Sequence, residues 1–161
     1  MISAMKSHYE VDHANPGECF ISYLPLAHIM GRIGIYEAFV SGMSTGHWRG
    51  DPKLLLEDIG LLKPNLFPVV PRILNKVYDK VMNGVAEASP AKRKLFHKAL
   101  NAKIENLRHN GKFTHVLYDK LVFDKLKARL GGNVRLMVTG SAPIARDVLE
   151  FSRVAFGCHL Y

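Results

Sequence analysis

Val134-Arg135-Leu136-Met137-Val138-Thr139-Gly140-Ser141-Ala142-Pro143 is the stretch on which the fold turns. An apolar strand runs into a loop of small residues, and Ile144-Ala145-Arg146-Asp147 opens a helix directly after it. Strand, short loop and helix in this order make the unit at which open α/β sheets bind nucleotides, outside the carboxyl end of a strand. Loop amides and the helix N-terminus face a ligand there, and the helix dipole favours negative charge. The loop carries neither the GxGxxG fingerprint of dinucleotide sites nor the GxxxxGK[ST] of a P-loop. A nucleophile elbow around Ser141 would need glycine at position 143, where Pro143 stands. Two readings stay open from the local pattern: an ordinary βα turn, and a loop small enough for a flat base to reach the backbone.

Outward from this stretch the chain alternates strands and helices. Residues 19–24 read as a buried strand ended by Pro25, and His28 to Val40 as a mostly buried helix stopped by Gly42. Met43 to Trp48 is a weaker strand. Asp51-Pro52 predicts a helix start with an Asp cap and proline at the first helical position, and Leu54, Leu55, Ile59 and Leu62 supply its stripe. Residues 65–71 give a short strand and loop, and Pro71 starts a helix carrying Ile73, Leu74, Val77, Tyr78 and Val81. Ser89-Pro90 repeats the cap-plus-proline device before a long basic helix broken at Asn110-Gly111. Thr114 is a candidate cap for the next helix, with Leu117, Leu121, Leu126 and Leu130 inward, closed by Gly131-Gly132. The strand 134–138, the loop 139–143, a helix 144–155 and a strand from His159 complete the chain. The pattern predicts an α/β fold: a partial parallel sheet with helices on both faces, plus a basic helical insertion over about 89–130.

Composition narrows the classes. The chain has 161 residues, 48% of them hydrophobic, enough for one core or part of a larger one. It has no run of 18 apolar residues, and Lys6, His8 and Glu10 interrupt any signal-peptide core. Cys19 and Cys158 have no metal-ligand spacing and read as reduced thiols of an intracellular protein. The formal net charge of +8 resides wholly in residues 91–130; the rest of the chain is neutral. That stretch suits a solvated helical face, a membrane-surface patch, a site for phosphorylated ligands, or nucleic acid. A nucleic-acid module is the weakest of these, because no recognised motif or interleaved aromatic platform accompanies the charge.

Other candidate site residues are few. His28, in Leu24-Pro25-Leu26-Ala27-His28, stands at a strand end and helix start; it suits a site, a helix cap or a core position. In Pro68-Val69-Val70-Pro71-Arg72, two prolines stiffen the crossing, and Arg72 suits an anion or a surface salt bridge. His8 and His13, with Glu10 and Asp12 between them, are weak metal-ligand candidates without an HExxH.

Three blocks in order, Ile21-Ser22-Tyr23-Leu24-Pro25-Leu26-Ala27-His28, Phe67-Pro68-Val69-Val70-Pro71-Arg72-Ile73-Leu74-Asn75 and Gly131 to Pro143, resemble the long-chain fatty acyl-CoA synthetases, adenylate-forming ligases. The resemblance covers roughly 19–161 and identifies the chain as an internal piece of the N-terminal adenylation domain. It implies a two-step reaction: ATP and a fatty acid give an acyl-adenylate and pyrophosphate, and the thiol of coenzyme A then displaces AMP. It also implies Mg²⁺ on the phosphates. Gly140, Ser141, Ala142 and Pro143 would lie against adenine, His28 near the acyl carboxylate and α-phosphate, and Val69, Val70, Pro71 and Arg72 along the acyl and coenzyme A channel. The family has Glu-Arg where this chain has Gly31-Arg32, which leaves His28 without that glutamate.

The family's phosphate loop is expected before Met1. Its Tyr-Gly-x-Thr-Glu block, with the metal-binding glutamate, its ribose-binding aspartate and its C-terminal lid are expected after Tyr161. These 161 residues alone are therefore expected to be inactive and poorly soluble. The resemblance further implies a membrane-associated whole protein on the cytoplasmic face of the endoplasmic reticulum, mitochondrial outer membrane or peroxisome. The competing expectation is a non-catalytic module that binds acyl-CoA or a membrane surface.

Overall fold

The computed structural model describes residues 14–140 and 142–161. The candidate metal ligands His8 and His13, and Ser141 of the candidate loop, lie outside the described residues. Five strands form one parallel sheet in the order β2-β1-β3-β4-β5: β1 Cys19–Ser22, β2 Ser44–His47, β3 Leu66–Pro68, β4 Leu136–Val138 and β5 His159–Leu160. Every strand therefore points its carboxyl end to the same side of the molecule. The expected parallel α/β architecture is present, and its register follows from alternation. Phe20, Leu66 and Leu136 face one side of the sheet; Ile21, Phe67, Met137 and Leu160 face the other.

The first side is covered by helix α1 (Ile29–Ser41). Its inward residues are small, Gly31, Gly34 and Ala38, so its backbone comes close to the sheet. The expectation of a mostly buried helix fails here. Ile29, Tyr36, Phe39 and Val40 are all exposed, Phe39 to 78%, because only the small-residue face of α1 has a neighbour among the described residues.

The second side is covered by α2 (Leu55–Leu62), α3 (Pro71–Ala86) and α7 (Arg146–Phe156) around Ile59, Phe67, Leu74, Met137 and Leu160. Asp51-Pro52 makes a turn rather than the helix start. The Asp51 carboxylate accepts from the Lys53 N–H at 2.8 Å, and α2 begins only at Leu55. Lys63 closes α2 in the left-handed conformation, φ 54°, a strained choice for a residue with a Cβ. Gly131 explains it: a Cβ there would lie 2.5 Å from the Lys63 Cα, so this glycine permits close passage of the two loops.

A third layer lies on the outer faces of α3 and α7. It comprises α4 (Pro90–Asn110), a short α5 (Val116–Tyr118), a π-helical turn over Asp119–Phe123 and α6 (Asp124–Ala128). Phe96, Ala99, Leu100 and Phe123 pack there against Phe151, Val154 and Ala155 of α7. Pro90 opens α4 as expected, but Ser89 makes no side-chain cap bond. His115, not Thr114, caps the next helix by accepting from the Tyr118 N–H. The extra residue of the π turn rotates the side chains that follow an ordinary helical spacing. Asp119 and Phe123 turn inward, while Leu117 and Leu121, expected inward, are exposed.

Asp119 is needed inside. Lys103 is fully buried; its ammonium pairs with the Asp119 carboxylate, donates to the Val154 carbonyl and lies 4.5 Å from the Phe123 ring centroid. Asp119 also accepts from the His115 N–H at 2.9 Å and faces Lys127 at 3.4 Å. Burial pushes the Asp119 carboxyl upward, but these hydrogen bonds prevail and hold it below the usual carboxylate range. At the amino end of the sheet, Arg135 makes a bidentate pair with Glu18, fastening the start of β4 to the start of β1.

Candidate functional site

The three blocks singled out from sequence lie at the carboxyl ends of β1, β3 and β4, which are neighbours in the sheet. The ladder continues past the strands. The Val69 N–H donates to the Val138 carbonyl at 2.8 Å, the Thr139 N–H to Tyr161 at 2.7 Å, and the Tyr161 N–H to Met137 at 3.1 Å. These bonds tie the backbone at Thr139, on the approach to the candidate loop, to the neighbouring strands.

His28 is the N-cap of α1, in extended conformation with φ −88° and ψ 139°. Its Nδ1 accepts from the Met30 N–H at 3.3 Å, and its own N–H donates to the Pro25 carbonyl at 2.9 Å. The cap bond uses the Nδ1 lone pair, so in the neutral ring the proton sits on Nε2. His28 is exposed and presents that N–H outward at the strand ends. The cap and site roles are thus compatible: the cap orients the ring that the site would use.

Gly140 lies opposite the first turn of α1. A Cβ on it would have the Met30 Sδ, at 3.9 Å, as its nearest neighbour. Met30 therefore links the His28 turn to the 140 loop, and the two blocks share one edge of the sheet. Ala142 and Pro143 are exposed beyond it. The β3 block divides. Val69 and Pro71 are buried, Val69 within the core beneath α3, whereas Arg72 is exposed in the first turn of α3 and makes no ion pair with a described residue. Of the proposed channel residues, only Val70 and Arg72 reach a surface of this chain.

Two further polar groups belong to this edge. The hydroxyls of Tyr23 and Thr139 are buried without a well-formed hydrogen bond among the described residues. Both follow a strand, and alternation places them on the same side as Ile21 and Met137. Burial raises the Tyr23 phenol well above its ordinary value, a shift the Val70 amide opposes without cancelling. Tyr23 packs edge-on to Trp48 and tilted against Phe67. From sequence Tyr23 read only as strand filling, since an aromatic at a strand end fits a core as well as a site. Cys158 is buried and its thiol is pushed up to about 12, which makes it a poor nucleophile.

Comparison with known proteins gives the family of the chain. A family model described as AMP-binding enzyme matches residues 1–161. The chain belongs to the AMP-binding enzyme family. It is 45% identical over 146 residues to the long-chain-fatty-acid–CoA ligase 5 of Rattus norvegicus, covering 91% of this chain and 21% of that protein. It is 40% identical to the peroxisomal long chain acyl-CoA synthetase 7 of Arabidopsis thaliana, covering 89% of this chain and 20% of that protein. The chain thus spans about one fifth of the curated relatives it matches.

In fold, the chain is similar to the adenylation domain of a carboxylate reductase from Mycobacterium chelonae, with TM-score 0.66 at 17% identity over 90% of this chain and 20% of that one. A didomain of carboxylic acid reductase from Segniliparus rugosus, solved in complex with AMP, matches with TM-score 0.59 at 25% identity, covering 87% of this chain and 17% of that one.

Proposed function

We propose that this AMP-binding chain is the central part of a long-chain fatty acid:CoA ligase. The observation that carries the reading is positional. The Pro25–His28, Pro68–Arg72 and Thr139–Pro143 segments lie at the carboxyl ends of three adjacent parallel strands, where a doubly covered sheet binds ligands. The similarity to named long-chain ligases and synthetases supports the choice of substrate.

A carboxylate is a poor electrophile and its mixed anhydride with AMP a good one, so the first step has to bring two anions together. His28 contributes a donor at Nε2, held outward by the Met30 cap bond, to charge developing between the carboxylate and the α-phosphate. In this reading Gly140, Ala142 and Pro143 would border the base, and Gly140 leaves room for close approach. Val70 and Arg72 border the route by which the acyl chain and coenzyme A reach the adenylate. Among the described residues no group of three or more His, Cys, Asp or Glu could hold a metal ion. The whole protein would work at an intracellular membrane, although among the described residues no helix is long and apolar enough to cross one.

The test is ATP- and CoA-dependent acylation by the full-length protein, followed as pyrophosphate release with palmitate. Acyl-CoA formation dependent on all three substrates is the expected result. Binding of acyl-CoA without pyrophosphate release would favour the non-catalytic module that the basic 91–130 stretch also suits.

A further inference from the structure

We propose that the outer helical layer is a docking face for an anionic lipid surface, with its centre in the groove between the C-terminus of α3, the start of α4 and the π turn. This deepens the membrane reading given above and rests on it only for the expectation that the protein meets a bilayer.

The groove has a volume of about 370 Å³ and is lined by Val85, Lys92, Leu95, Phe96, Leu121 and Lys125, among others. Its apolar floor continues onto an exposed apolar strip. Leu95 is 40% exposed, Leu121 56%, Leu117 58% and Val116 91%. Leu117 and Leu121 are four residues apart across the start of the π turn, and it is this turn, held by the inward Asp119, that leaves both leucines outside. Apolar side chains set outward by a buried ion pair are a built feature rather than an incidental loss of packing.

Charge selects the occupant. Lys92 and Lys125 border the groove, and Lys94, Lys98 and Lys120 are exposed on the same two segments. None of these five pairs with a described acidic group. Asp119 is buried with Lys103 and Asp124 faces Lys127, while Glu87, beside the groove, and Glu105, further along α4, are exposed and outnumbered by the lysines. Exposed leucines flanked by unpaired lysines match the boundary of an anionic bilayer, where apolar side chains enter and ammonium groups stay at the headgroups.

Orientation agrees with this. α3 starts at the carboxyl end of β3 and runs back across the sheet, so residues 84–88 lie at the opposite end from His28 and Gly140. Docking through the groove leaves the candidate site open.

The experiment is co-sedimentation of the full-length protein with vesicles of phosphatidylcholine alone or with roughly 30% phosphatidylserine. Lys92→Gln/Lys125→Gln is expected to lower partitioning onto the anionic vesicles about 25-fold, about fivefold per charge. Leu117→Ser/Leu121→Ser is expected to lower binding to both vesicle types. The pair Lys53→Gln/Lys76→Gln, neither of which lines the groove, removes the same charge and is expected to change little. Wild-type binding that survives both groove variants would overturn this face while leaving membrane association intact. An equal loss in the control pair would overturn it too, as would groove variants that change only self-association of the protein. A wild-type protein that binds neither vesicle but acylates coenzyme A would overturn the membrane reading and spare the ligase.

Discussion

The resemblance to the long-chain synthetases places a glutamate of their usual pattern at Gly31, and the structure gives a steric reason for glycine at this position. A Cβ at position 31 would lie 2.5 Å from the Pro25 carbonyl oxygen and 2.8 Å from that of Leu24. Both are backbone atoms of the segment that delivers His28, so neither can turn aside as a side-chain end would. Ordinary carbon–oxygen contacts are about 3.3–3.6 Å, so Gly31→Ala must push the first turn of α1 and the 24–28 segment apart by roughly 1 Å. Overpacking of this kind costs about 1–3 kcal/mol. His28 is bound to both moving parts, to Pro25 through its N–H and to Met30 through Nδ1. A 1 Å misplacement of a positioning group costs about 100-fold in rate. Gly31→Ala should therefore lower the Tm and reduce pyrophosphate release about 100-fold, with the protein still folded by circular dichroism. Gly84→Ala is the control. A Cβ there meets nothing within 4 Å, and alanine in a helix interior should stabilise by about 0.5–1 kcal/mol with no change in rate. Full activity in Gly31→Ala would show that the 24–28 segment is not rigid enough to set the geometry of His28.

Three other outcomes follow from particular contacts. His28→Ala should cost about 1 kcal/mol as a lost helix cap and about 100- to 1,000-fold in adenylate formation as a lost donor. His28→Asp restores the cap without the donor, so it should recover the Tm but not the rate; recovery of both would reduce His28 to a cap. Asp119→Ala strands the fully buried Lys103 ammonium with one carbonyl and one ring, and should destabilise by about 3–5 kcal/mol in urea titration. Lys103→Met should cost less, because Asp119 keeps the His115 N–H and Lys127; the reverse order would contradict this account of the pair. Arg135 hydrogen-bonds Glu18 and holds its carboxyl below the ordinary 4.5, so this pair stabilises the protein above that pH and ceases to do so as pH falls through the lower folded-state value. The Tm gap between wild type and Glu18→Gln should thus close on the acid side, and a pH-independent gap would remove Glu18 from the linkage.

The parts legible in the sequence were those governed by local chemistry. Val134 to Val138 is apolar apart from Arg135 and lies between Gly132 and Gly140, so strand, loop and helix could be placed before any tertiary contact was known. Pro71 and Pro90 fixed two helix starts because their rings suit the first turn and their missing N–H groups are not needed there. Gly42 and Gly111 fixed two ends through their left-handed φ. Asp51-Pro52 carries the same signature as Ser89-Pro90 and still gave only a turn, because an Asx-type bond to Lys53 satisfies the aspartate locally and α2 is positioned by burial of Leu55 and Ile59. The inward leucines of the third layer failed for a different reason. A hydrophobic count sees Leu117 and Leu121 but cannot see that Lys103, on another helix, requires a carboxylate at 119.

The same contrast separates the site's scaffold from its chemistry. From sequence the position of His28 left site, cap and core open, and only the resemblance carried by the Ile21–His28 block singled it out; its tautomer could not be read. That depends on Met30 offering its N–H to Nδ1, which depends on α1 beginning at residue 29 and on Gly31 letting that turn sit against the Leu24 and Pro25 carbonyls. A glutamate at 31 would meet the same two oxygens, so it requires a different path for the 24–28 segment and hence a different way of holding the histidine. Among the described residues, the bonds that orient His28 are to the backbone of Pro25 and Met30. His28 and Gly31 therefore act as one unit, and combining Gly31→Ala with His28→Ala should cost much less than the sum of the single effects on rate, because the first substitution removes only what the second has already lost.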